Sequence, residues 1–75
     1  MKVLLTGAFG NVGTSTSQAL IERGHHVRCF DLKTRSNKRT AKQFEKDVEV
    51  IWGDLRRPTD VDTAVQGQDV VVHLA

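Results

Sequence analysis

Gly7, Gly10 and Gly13 punctuate the stretch Val3-Leu4-Leu5-Thr6-Gly7-Ala8-Phe9-Gly10-Asn11-Val12-Gly13. An apolar run of strand length leads into them, and an amphipathic segment follows. That order, strand then glycine turn then helix, is the one that builds a dinucleotide phosphate site. One glycine lets the chain turn sharply after the strand, because no Cβ clashes. A second lets main chain approach a pyrophosphate closely. A third lets the helix pack tightly on the strand. The helix N-terminus then offers unpaired N–H groups and a positive dipole end to an anion. The spacing is G-x-x-G-x-x-G rather than G-x-G-x-x-G, and a strand-to-helix turn without any ligand would use the same residues. Two acidic residues extend the pattern. Asp31 follows about 20 residues on, where a carboxylate can accept the ribose hydroxyls of an adenosine half. Asp54, in Gly53-Asp54-Leu55 after a third apolar run, can meet an adenine edge or close an Asx-type turn.

Composition narrows the alternatives. The chain has 75 residues, 39% hydrophobic and 27% charged, as in an ordinary soluble globular domain. A chain this short buries only about 60% of its unfolded surface, so it is marginal alone. The net charge of +2 is slight, and no basic stripe with interleaved aromatics argues for nucleic acid. Cys29 is the only cysteine, which excludes an internal disulfide, and its place in an apolar run reads as a packed thiol. His25, His26 and His73 have no cysteine partners at metal-ligand spacing. No stretch is apolar for long enough to be a signal peptide or to span a membrane, and a reducing cytoplasm is the expected compartment.

The elements that must position the glycines and carboxylates follow from the pattern. Val3–Thr6 reads as a first strand, apolar without alternation, as in a strand buried on both faces of a parallel sheet. Asn11–Arg23 reads as a helix with Val12, Thr16 and Leu20 on its apolar face, Ala19 beside them, and Gly24 ending it. The hydroxyl run Thr14–Ser17 is a poor helix start. His26–Phe30 reads as a second strand ending at Asp31, with Arg28 opening one face to solvent. Lys33–Lys46 is basic and polar. Its first half reads as loop, with Lys33 and Arg35 solvated in it, and its second half, around Ala41 and Phe44, as a short helix. Val48–Trp52 reads as a third strand, after which Arg56-Arg57-Pro58 breaks regular structure. Thr59–Gln66 reads as a helix with a Thr59/Asp62 capping box and Val61, Ala64 and Val65 inward, ended by Gly67. Asp69–Leu74 reads as a fourth strand around Val70-Val71-Val72. Right-handed crossovers then give a parallel sheet in the order 3-2-1-4, with the first two helices on one face and the third on the other. Gly7, Asp31, Asp54 and Leu74-Ala75 all fall on its carboxyl edge, where open α/β sheets bind ligands.

The chain resembles the N-terminal part of the extended short-chain dehydrogenases/reductases, the NAD-dependent epimerase/dehydratase family in particular. The matching pieces are Thr6-Gly7-Ala8-Phe9-Gly10-Asn11-Val12-Gly13, Glu22-Arg23-Gly24-His25 with Asp31, Gly53-Asp54-Leu55, and Asp69-Val70-Val71-Val72-His73-Leu74-Ala75. The resemblance implies the first half of a Rossmann-type doubly wound α/β domain over residues 1–75. It implies that Gly7, Gly10 and Gly13, with backbone of Phe9, Asn11 and Val12, hold a pyrophosphate. Asp31 would take the adenosine ribose, Asp54 and the Leu55 backbone the adenine. Leu74 and Ala75 would line the way to the nicotinamide ribose. Thr16 and Ser17 stand where the family has apolar residues, which weakens the expectation of tight helix–sheet packing.

Asp31 makes NAD, rather than NADP, the expected cofactor, because its carboxylate would accept the ribose hydroxyls and repel a 2′-phosphate, although Lys33 and Arg35 argue the other way. The resemblance further implies a parent oxidoreductase, epimerase or dehydratase acting on a nucleotide sugar or a similar hydroxylated small molecule. A homo-oligomer is the expected assembly. The family's acid/base pair resembles Tyr-x-x-x-Lys, whose lysine lowers the tyrosine pKa. The sequence contains no tyrosine, so catalytic residues are expected outside these 75 positions. The alternative is a cofactor-sensing regulator or binding module without turnover, or a fragment with no function of its own.

Overall fold

The computed structural model describes residues 1–74. Seven elements alternate: β1 (Lys2–Thr6), α1 (Asn11–Glu22), β2 (His26–Asp31), α2 (Arg35–Ala41), β3 (Glu49–Trp52), α3 (Pro58–Val65) and β4 (Val70–His73). The strands are all parallel, in the order β3-β2-β1-β4. The expected topology is therefore the observed one. β1 and β2 are covered on both faces, which is why their apolar residues do not alternate with polar ones.

Register divides the core in two. Leu5 opposite Cys29, and Cys29 opposite Val50, look toward α1 and α2. They pack with Val27, Ala8, Phe9 and Ala41, and with the half-buried Leu20 and Ile21 of α1. On the other face Leu4, Phe30 and Ile51 pack against Ala64 of α3. The helices are thus distributed as the crossover rule requires.

α1 turns a different side to the sheet from the one its apolar residues suggest. Val12 is 65% exposed and Ala19 is also exposed, whereas Gly13 and Ser17 are buried. Close approach decides this. A Cβ at Gly13 would lie 2.2 Å from Gly7 O and 2.6 Å from Ala8 C. Small residues form the contact, and Ser17, far from loosening it, sits with its Oγ 3.7 Å from Cys29 Sγ. The hydroxyl run is helical, with its side chains bonded back to the preceding turn: Thr14 and Ser15 donate to Asn11 O, and Thr16 to Val12 O. Burial pushes the Cys29 thiol pKa up, against the lowering contact of Ser17 and with a smaller upward push from the Asp31 charge. Gly24 ends α1 at φ +81, as expected of a C′ residue.

Two other expectations are corrected. The helix in the basic segment begins earlier, at Arg35, because Thr34 caps it by accepting Asn37 N–H at 3.0 Å. Phe44 lies beyond it, in turns. Arg35 is therefore helical and not part of a loop. α3 starts at Pro58, whose fixed φ and missing N–H suit a first helical position, so Thr59 lies inside the helix and caps nothing.

Candidate functional site at the carboxyl edge of the sheet

The glycine loop is anchored to both of its neighbours. Gly7 takes φ +66, a conformation that a side chain rarely adopts, and its N–H donates to Phe30 O at the end of β2. Thr6, one residue earlier, places Oγ1 2.7 Å from His73 Nδ1, and Leu74 N donates to Thr6 O at 3.1 Å. The ends of β1 and β4 are thereby tied across the point where the strand order reverses. His73 has a structural partner here, the role its place in the strand suggests.

Gly10 is the N-cap of α1 and supplies no side chain. The first turn holds no acidic residue, and Asn11 and Val12 are exposed. The N–H groups that open the helix have no intrahelical acceptor, and no residue of the first turn offsets the positive dipole end. A Cβ at Gly10 would meet only Gly7 O, at 3.7 Å. The fold itself has room for a side chain there.

Asp31 closes the arrangement. Its Oδ2 accepts Phe9 N–H at 3.0 Å, and its Oδ1 accepts Leu32 N–H at 2.8 Å. The half-buried carboxylate therefore fixes the glycine loop to β2 and keeps lone pairs for further donors. The Phe9 side chain turns inward, with its ring centroid 5.4 Å from that of Trp52.

Beside Asp31 lies a cavity of about 120 Å³ bounded by Gly7, Phe30, Leu32, Gly53, Asp54 and Leu55. Leu32 and Leu55 stand exposed at its mouth. Gly53 is required by packing, since a Cβ there would lie 2.7 Å from the buried Phe30 ring. Asp54 lines this cavity, yet its carboxylate is engaged by Arg56, with Nη2 to Oδ2 at 2.7 Å and the Arg56 N–H to Oδ1 at 2.9 Å. Those side-chain bonds first, and the backbone bond next, hold its pKa down at about 2. Asp54 thus forms the Asx-type turn, and its own N–H donates to Asp60 Oδ2 at 3.0 Å.

The structure brings Gly7, Gly10, Gly13, Asp31, Asp54 and Leu55 to one edge, with Leu74 at the end of β4. Ala75 lies outside the described residues. Sequence reasoning missed Leu32 and Asp60. Leu32 was signalled only by being apolar immediately after a strand-ending carboxylate. A larger groove of about 410 Å³ opens at the opposite edge, where the strands begin. It carries charges of both signs, Lys2 and Lys46 against Asp47 and Glu49, and holds none of the glycine loop.

Comparison with known proteins places this edge in context. The chain is 38% identical over 74 residues to a 3-beta-hydroxysteroid dehydrogenase of Mycolicibacterium neoaurum, covering 99% of this chain and 19% of that protein. It is 36% identical over 84 residues to a UDP-glucose 4-epimerase of Klebsiella pneumoniae, covering all of this chain and 58% of that one. A short-chain dehydrogenase/reductase superfamily protein of Agrobacterium tumefaciens, solved with bound NAD, superimposes with a TM-score of 0.78 at 29% identity, over 100% of this chain and 20% of that chain. The chain therefore spans a fifth to three fifths of the length of these relatives. The family model for the NAD dependent epimerase/dehydratase family matches residues 3–75, and the chain belongs to that family.

Proposed function

We propose that this carboxyl edge holds the adenosine and pyrophosphate of NAD for an oxidoreductase, epimerase or dehydratase acting on a nucleotide sugar or similar hydroxylated small molecule. The observation that carries the reading is the bond from Phe9 N–H to Asp31 Oδ2, at 3.0 Å. It sets a carboxylate directly beside a glycine loop that opens a helix. The pyrophosphate would rest on the uncapped start of α1, with Gly10 leaving room for it. The ribose hydroxyls would donate to the lone pairs Asp31 has left. Adenine would enter the cavity between Leu32 and Leu55, meeting the Leu55 backbone; Asp54 would bound it without giving up Arg56. Leu74, at the end of β4, would lead toward the nicotinamide. When bound, the dinucleotide supplies hydride transfer, and these residues bind and orient it. The sequence holds no tyrosine, so proton transfer of the Tyr-x-x-x-Lys kind would need a group other than those of these 75 residues. The buried Cys29 thiol suits a reducing compartment.

NAD is favoured over NADP because a 2′-phosphate would remove a donor and bring like charge against Asp31. Charge-assisted bonds of this kind are worth about 1.5–3 kcal/mol, which corresponds to a preference of about tenfold to a hundredfold. The test is calorimetric titration of the chain with NAD and NADP, for the unmutated protein and Asp31→Ala. NAD should bind more tightly, and the substitution should erase most of the difference. Tighter NADP binding to the unmutated protein would show that Lys33 and Arg35 outweigh Asp31.

A further inference from the structure

α2 carries its charge on one side. Arg35, Lys38 and Arg39, with Lys42 at the C-cap, recur at i, i+3, i+4 and i+7, the spacing of a single helical stripe, and all four are exposed. The opposite side meets the protein: Ala41 is buried, and Asn37 and Thr40 are half-buried. The ion pairs among the described residues are Arg28–Glu49 and Arg56–Asp54. No carboxylate within the described residues pairs with the stripe. Like charges at this spacing repel one another, so the stripe is held in place at a cost to the helix.

The helix is also fixed relative to the site. At its start, Thr34 N–H and the Asn37 side-chain amide both donate to Leu32 O, at 2.9 and 2.7 Å. Leu32 is the neighbour of Asp31. At the other end, Thr40, Gln43 and Phe44 share a groove of about 300 Å³ with Phe9, Gly10 and Asn11. α2 therefore flanks the glycine loop, on the same side of the sheet as α1, with the stripe on its outer, solvent-facing side. The positive end of α1 adds to the same field.

We propose that the Arg35–Lys38–Arg39–Lys42 stripe is a capture surface for anionic dinucleotides. It draws the ligand to the glycine loop and raises the association rate, while the bound ligand rests on the loop and on Asp31. This rests on the reading that the edge holds a dinucleotide. Clustered charge of one sign beside a cleft raises association rates by roughly tenfold or more, and ionic strength removes the gain. Solvated cations that make no contact in the complex change association and leave dissociation alone. The added phosphate of NADPH brings about 1.5–2 more negative charges. The stripe should therefore speed NADPH more than NADH, even though Asp31 opposes NADPH at equilibrium.

Stopped-flow fluorescence with NADH and NADPH tests this on the full chain. At low salt, R35Q/K38Q/R39Q/K42Q should associate about tenfold more slowly, with the larger drop for NADPH. Dissociation should stay within about twofold, and the difference should vanish near about 0.5 M salt. Lys38→Gln/Lys42→Gln gives a milder variant should the quadruple substitution fail to fold, and should show a slowing of about threefold. Lys2→Gln/Arg23→Gln removes the same net charge at the opposite edge and should slow association less than that double. Equal association rates for stripe variants and unmutated chain would overturn the proposal. So would a loss confined to dissociation, because the stripe would then touch the bound ligand. If neither nucleotide binds the unmutated chain, the dinucleotide reading falls, and this proposal with it.

Discussion

Gly10 and Gly13 look alike in the sequence and are glycines for different reasons. At Gly13 the protein forbids a side chain, because a Cβ would sit 2.2 Å from the Gly7 carbonyl oxygen, a backbone atom that cannot step aside. At Gly10 the protein has room, with the nearest atom at 3.7 Å and φ at −79. Gly13→Ala should therefore cost about 3 kcal/mol or more, a large fraction of the stability of so small a domain. Gly10→Ala should cost only about 1 kcal/mol, the difference between glycine and alanine at an N-cap, and weaken NAD about tenfold or more, since its methyl would stand at the proposed pyrophosphate site. Melting curves and NAD titrations of both variants separate the two roles; unimpaired NAD binding by Gly10→Ala would remove the pyrophosphate from the loop. The glycines and the two aspartates were legible in the sequence because their signal is local, a turn or a strand end. Their bonds were not. Asp31 reaches Phe9 N–H across 22 positions, and only the β1–β2 register creates that contact. The capture of Asp54 by Arg56 is short in sequence, yet it was hidden because a carboxylate after a strand serves a ligand and a turn equally well.

Arg28 shows how an element is placed by one side chain. It interrupts the apolar pattern of β2, which reads as a face open to water. Instead its side chain is only 16% exposed, with Nε donating to Glu49 Oε1 at 2.7 Å. Its Nη1 donates to Ala64 O and Gln66 O, at 2.8 and 2.7 Å. These are carbonyls at the C-terminus of α3, the negative end of that helix, where a cation is favoured. Arg28 thus staples α3 to the sheet, and α3 carries Asp60, which holds the Asp54 backbone at the cavity. Arg28→Met should destabilise the fold by about 2 kcal/mol, as charged hydrogen bonds are lost and the part-buried Ala64 carbonyl is left without its donor. Arg28→Lys should recover little, because a single ammonium cannot reproduce the fork that reaches Glu49 and both carbonyls. Urea unfolding of both variants measures this, and full stability in Arg28→Lys would reduce the staple to simple charge. Strand order and helix placement were legible because alternation and handedness leave few topologies. The side that α1 buries was not, since the tight approach at Gly13 turns Gly13 and Ser17 to the sheet and leaves the larger Val12 outside. The start of α2 was obscured by its charge, and Thr34 is the residue that announced it.

Across the molecule as a whole, one side of the sheet is less covered than the other. β4 lies at the edge of the sheet, beside β1 alone. Its Val71 is 50% exposed, Val65 of α3 is 40% exposed, and Leu74 beyond the strand is also 40% exposed. Val71 lies in register with the buried Leu4, on the face that α3 covers. Along the outer side of β4 the backbone N–H and C=O groups face no neighbouring strand, and Val70-Val71-Val72 contains no proline or lysine to blunt the edge. Such an edge is a template for pairing, and the adjoining apolar residues reward it. The 75-residue chain should therefore self-associate at tens of micromolar, roughly the range in which exposed edges aggregate or pair. Val71→Lys tests where the contact lies. It places a charge on the exposed face of the edge strand, one of the devices by which natural sheets suppress pairing. It should shift the sedimentation profile toward monomer and leave the proposed NAD binding at the glycine loop, beyond the carboxyl end of β1, unchanged. A unmutated chain that sediments as a stable monomer at those concentrations would count against the edge. An associated Val71→Lys chain would move the contact to another surface.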